Sequence, residues 1–393
     1  TNAMLRWLWP KPPLAAREKA WVETRMHWLA DQLGIDRMLD SKVTLPTAEF
    51  FPGEYDGTAE DAQRLQAAIC RFLQTDADLH LEVPDAVCSG GEAGATGHRC
   101  QSGQRRRCPD TATLIATIAQ KASCAILQRK GLTERKKAEL EPLAELLTVF
   151  LGMGVFTANT AIDRRILPGR MSSYALSLFA WMREDVNPAW ASYLRLDVQA
   201  GFRAGLRYLR RSGDSMFQTA TVRRSFGALS VNEVSRQLET GTPSVKIAAL
   251  WELAEQGSAA SIAVPLVVEF LHAKQPDIRA EAAVTLGHIG VNDTESIQRL
   301  TDALHDGEEG VRAAAAAALG TLRPQAPLAV PFLADALADR SPRVVRQVAR
   351  ALCQFGSDAD EATHGLFQAL RAALVACDDV TADCLTTALH AIT

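Results

Sequence analysis

The sequence predicts a mostly α-helical protein, in which a small α+β domain is followed by an α-solenoid of paired helices. The chain has 393 residues, of which 47% are hydrophobic and 22% charged. This composition is typical of a globular protein with two or three domains. Apolar residues recur at helical spacing through most of the chain, and a pattern of helix pairs repeats through its last third.

The predicted first domain covers residues 4–215 and begins with a helix over residues 14–34. A second helix begins at the cap residue Thr58, and the alternating residues 79–83 predict the strand that makes this domain α+β. Residues 89–107 are rich in glycine, serine and arginine and predict a loop. Four further helices complete the domain, at residues 111–130, 133–150, 171–183 and 188–211.

The candidate site of this domain lies on the helices at 111–130 and 133–150. An apolar run there leads into Gln120-Lys121-Ala122-Ser123-Cys124. This segment resembles the active-site helix of zincin metallopeptidases, in which an apolar run leads into H-E-x-x-H. Residues 141–152 resemble the helix that carries the third, acidic zinc ligand in one zincin branch. Residues 174–181 are similar to a bacterial family that joins such a domain to helical repeats.

The resemblance implies that Gln120 and Cys124 stand at two ligand positions, Lys121 at the general-base position and Glu145 at the third ligand position. Zinc needs three good protein ligands and a carboxylate base, so this set predicts an inactive domain without metal, cofactor or catalytic residue. We expect Lys121 or Gln120 to contact Glu145 or Glu141 in place of the metal, because a lone buried carboxylate is costly. Two alternatives stay open: an ordinary helix pair unrelated to zincins, and a divergent zinc metallopeptidase that uses Cys124, Glu145 and a distant histidine.

The last third of the chain is an internal repeat. Equivalent apolar residues stand at positions 245, 278, 311 and 344, and a second series of leucines stands at 271, 304, 337 and 374. The step is 33 residues until an insertion lengthens the last repeat. Each unit predicts two helices that bury their apolar stripes only by stacking on neighbours. The pattern resembles the HEAT-repeat family in its short variant, with about five repeats over residues 241–393 and a linker or first helix over 216–240.

The repeats predict a function in binding. From residue 241 onward there are 11 lysines and arginines against 19 acids, a net charge of −8, whereas the rest of the chain has 31 against 27. An acidic solenoid is a poor match for phosphate backbones, so we expect a protein or peptide partner and no nucleic acid. The candidate contacts are Arg279, Arg312, Arg346 and His288. The alternative for Arg279 and Arg312 is structural, an ion pair with an acid of the adjacent repeat.

Two further expectations concern the cysteines and the cell compartment. Cys88, His98, Cys100 and Cys108 cluster before residue 111, but they lack the paired spacing of a zinc site, so a loop is the favoured interpretation. Eight cysteines in a chain of this length favour a reducing, cytoplasmic setting. No apolar run reaches about 18 residues without charge, so we expect no membrane partner.

Overall fold

A computed structural model describes residues 11–51, 59–73, 111–129, 139–160, 166–217, 230–322 and 326–392. The chain divides into two compact units, residues 1–227 and 228–393. The division lies within residues 216–240, the segment predicted as a linker. No described helix is both long and apolar enough to cross a bilayer.

The first unit is a bundle of helices. Its described helices are α1 Ala16–Leu33, α2 Ile35–Leu39, α3 Ala59–Phe72, α4 Thr111–Arg129, α5 Leu140–Phe150, α6 Gly154–Asn159, α7 Gly169–Met182 and α8 Leu196–Ser212, with a 3₁₀ turn at Ala189–Tyr193. Helix α1 packs on α5 and α7, α7 packs on α8, and α4 packs on α5. No strand occurs in the described part of this unit, so the α+β expectation is not supported. The predicted strand at residues 79–83 lies outside the described residues.

One predicted helix, residues 188–211, is divided in the structure. Leu194 and Arg195 are extended, with ψ of 143° and 151°, and they separate the 3₁₀ turn from α8. The side chain of Asn159 holds this break, because its Nδ2 donates to the carbonyl of Tyr193 at 2.7 Å and its Oδ1 accepts from the amide of Arg195 at 2.9 Å. A contact from another helix therefore overrides the local helical pattern.

The second unit is a row of five helix pairs. Its helices are α9 Val231–Thr240, α10 Pro243–Gln256, α11 Val264–Glu269, α12 Pro276–Ile289, α13 Thr294–Ala303, α14 Glu309–Thr321, α15 Ala326–Ala336, α16 Pro342–Phe355, α17 Thr363–Val375 and α18 Asp379–Ile392. Short 3₁₀ segments flank α11 and precede α17. The second helices of the pairs, α10, α12, α14, α16 and α18, pack on one another in order.

Glycines allow this close stacking of second helices. A Cβ at Gly287 would lie 2.8 Å from the Cα of Ala318, and a Cβ at Gly320 would lie 2.7 Å from the Cα of Ala351. Real Cβ contacts are essentially never this short, so glycine sets the distance between α12, α14 and α16.

The leucines that recur in the first helices of the pairs differ in their exposure to solvent. Leu271, Leu304 and Leu337 are at most 5% exposed, whereas Leu374 in the last pair is 59% exposed. On α17 the buried residues are Leu366 and Ala373, and Leu366 stands 33 residues after the buried Leu333. Leu374 therefore does not take the place of Leu337 in the structure, although the sequence pattern aligned the two.

Candidate functional site

The residues that resemble a decayed metal site lie on α4 and α5. Gln120, Lys121 and Cys124 are partly buried on α4, whereas Glu145 on α5 is only 4% exposed. Burial raises the pKa of the Cys124 thiol, and the nearby carboxylate of Glu141 raises it further. Both effects favour the protonated thiol over the thiolate.

Glu145 is held by the segment that leads into α7. Its Oε2 accepts hydrogen bonds from the amides of Ile166 at 3.2 Å and Leu167 at 2.9 Å, and Ser172 Oγ donates to its Oε1 at 3.3 Å. These three donors supply hydrogen bonds to the buried carboxylate. A group of three His, Cys, Asp or Glu able to hold a metal does not occur among the described residues. The zincin-like domain thus has no support in this geometry, and the contact of Glu145 with Lys121 or Gln120 stays a prediction.

Sequence reasoning missed a buried ionic cluster in the first unit. Lys19 and Glu23 on α1 are fully buried, and Lys19 Nζ lies 3.1 Å from Glu23 Oε1 and 3.5 Å from Asp214 Oδ1. Tyr174 Oη donates to Glu23 Oε1 at 2.6 Å, and the amide of Met216 donates to Glu23 Oε2 at 3.0 Å. The cluster joins α1, α7 and the segment after α8, so it ties the bundle together through paired charges.

The buried cluster also changes the pKa of Tyr174. Burial raises the pKa of Tyr174 well above its usual range, and the carboxylate of Glu23 raises it further. Tyr174 therefore stays protonated and can keep donating to Glu23. The sequence signal was a lysine and a glutamate four residues apart on α1, a pattern that surface ion pairs share.

In the second unit, Arg279 and Arg312 each form an ion pair with an acid of the next repeat. Arg279 Nε and Nη2 each lie 2.8 Å from a carboxylate oxygen of Asp306, and Arg312 Nε and Nη2 lie 2.6 and 3.0 Å from those of Asp339. In both cases the acid stands 27 residues after the arginine and belongs to the next helix pair. The structure thus shows the ion pair between repeats that the sequence left open as an alternative.

The pKa values of the acids reflect these bonds. Burial by itself would raise the pKa of Asp339, but the hydrogen bonds from Arg312 and from the Ser341 amide, together with the arginine charge, bring it below its usual value. Asp306 has the same balance, with Arg279 as its partner. Each arginine also donates through Nη1 to a carbonyl six residues before it, at 2.9 Å. Each arginine therefore connects its own second helix to the loop before that helix and to the loop between the two helices of the next pair.

The other two candidate contacts are placed differently. Arg346 stands one position later in its repeat, because Val345 occupies the position equivalent to Arg312. Its Nη1 donates to Thr381 Oγ1 at 3.0 Å and lies 3.8 Å from Asp378 Oδ2, a looser connection to the last pair. His288 is exposed, with Nδ1 2.9 Å from the carbonyl of Val284 on its own helix.

The exposed side of the second helices forms a continuous surface, because equivalent residues lie on successive packed helices. We define this second-helix face by two rows of at least partly exposed residues at the repeat step: Trp251, Val284, Ala317 and Arg350, and beside them Glu255, His288, Thr321 and Gln354. The Trp251 indole N–H donates to the buried carboxylate of Glu281 at 2.7 Å, which fixes the ring at one end of the face. Three of the eight residues are apolar or aromatic, and the other five are polar or charged.

Comparison with known families agrees with this architecture. A family model described as HEAT repeats matches residues 232–320 and, in a second alignment, residues 297–383. Residues 232–383, less than half of the chain, match HEAT repeats. The family resemblance drawn from the sequence is confirmed for this part of the chain, and the match does not extend to the first unit.

Similar solved structures include two engineered proteins from the Northeast Structural Genomics Consortium and the Escherichia coli protein YibA. The engineered proteins are 20% and 16% identical, with TM-scores of 0.33 and 0.36, and the alignments cover 56% and 96% of this chain and 91% and 94% of theirs. YibA is 14% identical, with a TM-score of 0.34 over 74% of this chain and 99% of its own. Scores at this level do not establish a shared overall fold. No curated protein matches the chain.

Proposed function

We propose that the chain is a protein-interaction scaffold whose HEAT repeats bind a partner on the second-helix face. The observation that carries this proposal is the continuity of that face across α10, α12, α14 and α16, in which each repeat adds one residue to each of the two rows. Repeat arrays use such extended surfaces for binding. The Arg279–Asp306 and Arg312–Asp339 ion pairs support the proposal because they hold successive repeats together.

The partner is a protein segment that places apolar side chains on the face and basic residues around it. Val284 and Ala317 offer apolar contact in the middle of the face. The unit from residue 228 to 393 has 12 lysines and arginines against 21 acids, a net charge of −9. Such a charge steers basic partners toward the unit and disfavours acidic ones.

The test is affinity capture with the full chain, followed by binding measurements with the captured protein after purification. The variants Val284→Glu and Ala317→Glu place a charge in the middle of the face. Leu328→Glu is the matched control, because Leu328 is an exposed apolar residue on α15, a first helix. We expect both face variants to weaken binding at least tenfold and Leu328→Glu to bind like the wild type. Equal binding by all variants, or loss only with Leu328→Glu, would place recognition elsewhere.

A divergent metallopeptidase that uses Cys124 and Glu145 receives no favourable observation, because backbone amides already donate to Glu145. The divergent metallopeptidase makes a distinct prediction for elemental analysis of the purified full chain. It requires stoichiometric zinc that is lost in Cys124→Ala. We expect no stoichiometric zinc in either protein.

A cytoplasmic location is part of the proposal. It is supported by the free thiols of the described cysteines, Cys70, Cys124, Cys353, Cys377 and Cys384.

A further inference from the structure

A cleft on the first unit carries a concentration of positive charge that the scaffold role does not use. It lies between residues 186–192 and α8 and has a volume of about 730 Å³. Phe202 and Leu206 form part of its lining, together with Arg203, Arg207 and Arg210. A volume of this size is in the usual range for small-molecule sites, roughly 300–1,000 Å³.

The three arginines lie along one face of α8. Their spacing of four and then three residues places them on successive turns, and the whole set extends about 10 Å along the helix axis at the usual rise of 1.5 Å per residue. The lining of the cleft contains no aspartate or glutamate. Within the part of the chain that the structure describes, no carboxylate forms an ion pair with Arg203, Arg207 or Arg210.

Several other arginines of the same unit form ion pairs. Arg25 pairs with Glu139, Arg170 with Glu18 and Arg183 with Asp185. Like charges three or four residues apart on a helix destabilise it. The row of arginines on α8 therefore costs some stability, which an anion in the cleft would offset.

The helix dipole explains only part of the row. Cations are favoured in the last turn of a helix, and Arg210 lies in the last turn of α8. Arg203 and Arg207 lie earlier in the helix, where the dipole gives little benefit. These two residues are the ones that need another explanation.

The geometry leaves donors free for a ligand. Arg210 Nη2 donates to the carbonyls of Asp185 and Val186, each at 2.7 Å, so its guanidinium is held in place at one end of the cleft. Arg207 uses only Nε, which donates to the Arg203 carbonyl at 3.2 Å. The terminal N–H groups of Arg203 and Arg207 can therefore donate in pairs, the geometry that matches phosphate oxygens.

We propose that this cleft binds an organic polyphosphate, a small molecule with two or more phosphate groups on a less polar body. The length of the arginine row suits more than one phosphate, and the side chain of Val186, an apolar lining residue that is 75% exposed, suits the organic part. The cleft residues belong to the first unit alone, so this site is independent of the partner face on the repeats.

The test is isothermal titration calorimetry of the full chain with ATP, pyrophosphate, inorganic phosphate and citrate. The variants are Arg203→Gln and Arg207→Gln, and the matched control is Arg211→Gln, which removes the same charge from α8 at a residue that does not line the cleft. All three residues lie at the surface or partly exposed, so circular dichroism should show an unchanged fold. We expect ATP to bind more tightly than inorganic phosphate and citrate, in a salt-dependent manner.

Arg203→Gln and Arg207→Gln should each weaken ATP binding about tenfold or more, since a charged hydrogen bond contributes about 1.5–3 kcal/mol. Arg211→Gln should change it less than twofold. The proposal is overturned if ATP does not bind, if citrate binds as tightly as ATP, or if Arg211→Gln weakens binding as much as the cleft variants do. Tighter binding of a single-stranded oligonucleotide than of ATP would also overturn it, in favour of a nucleic-acid site.

Discussion

Two leucines that the sequence pattern aligned, but that differ in burial, give the sharpest test of the stacked fold. Leu337 is 5% exposed and Leu374 is 59% exposed, and replacement by alanine removes the same atoms from each. Leu337→Ala should lower the free energy of unfolding of the repeats by about 2–5 kcal/mol, the usual range for a buried leucine. Leu374→Ala should lower it by about 1 kcal/mol or less, because more than half of that side chain already meets solvent.

The assay is amide hydrogen exchange of the full chain, read on peptides from α14 and α16. This readout reports the stability of the second unit separately from that of the first. The wild type and both alanine variants are compared at one pH and temperature. Equal losses of protection in the two variants, or a larger loss with Leu374→Ala, would refute the burial of Leu337 and the exposure of Leu374 in the stack.

Three further predictions concern glycine packing, an acidic group and a thiol. Gly320→Ala should lower the free energy of unfolding by about 1–3 kcal/mol, because the added methyl group overpacks against α16. Gly310→Ala places its methyl group in open space and should change the free energy of unfolding by less than about 1 kcal/mol. Urea unfolding measures both effects. Because the folded-state pKa of Asp339 is lowered, the contribution of its carboxylate to stability is present above about pH 4 and is lost as the pH falls further. Asp339→Asn should therefore make stability less dependent on pH in that acid range. Thermal melts at several pH values measure this dependence. Alkylation by iodoacetamide at pH 8, followed by peptide mass spectrometry, should modify the exposed Cys377 faster than Cys124, and the reverse order would contradict the burial of Cys124.

The repeat array was predictable because its signal is redundant. The same apolar pattern recurs at 245, 278, 311 and 344, and each recurrence is independent evidence for a helix that needs neighbours. The pairing of Arg279 and Arg312 with the next repeat was predictable as one of two alternatives. Which acid each would meet was not, because the geometry of the loop before the next helix decides it.

The first unit was harder, because its decisive contacts join distant parts of the chain. The break before α8 depends on Asn159, which lies 36 residues before Arg195. The zincin resemblance used a short apolar run, and many buried helices contain such runs. Two backbone amides donate to Glu145, and amide positions cannot be read from residue types.

The burial of the Lys19–Glu23 cluster also could not be predicted from the sequence. Its residues were visible as a pair four positions apart, yet a surface pair and a buried pair have the same spacing. Only the packing of α7 and of the segment after α8 around α1 distinguishes them.

The central claim is that the second-helix face binds a protein partner. The most direct measurement is hydrogen exchange of the full chain with and without the purified partner. We predict new protection concentrated in peptides from α10, α12, α14 and α16, centred near Val284 and Ala317. Protection confined to the first helices of the pairs, or to the first unit, would contradict the account.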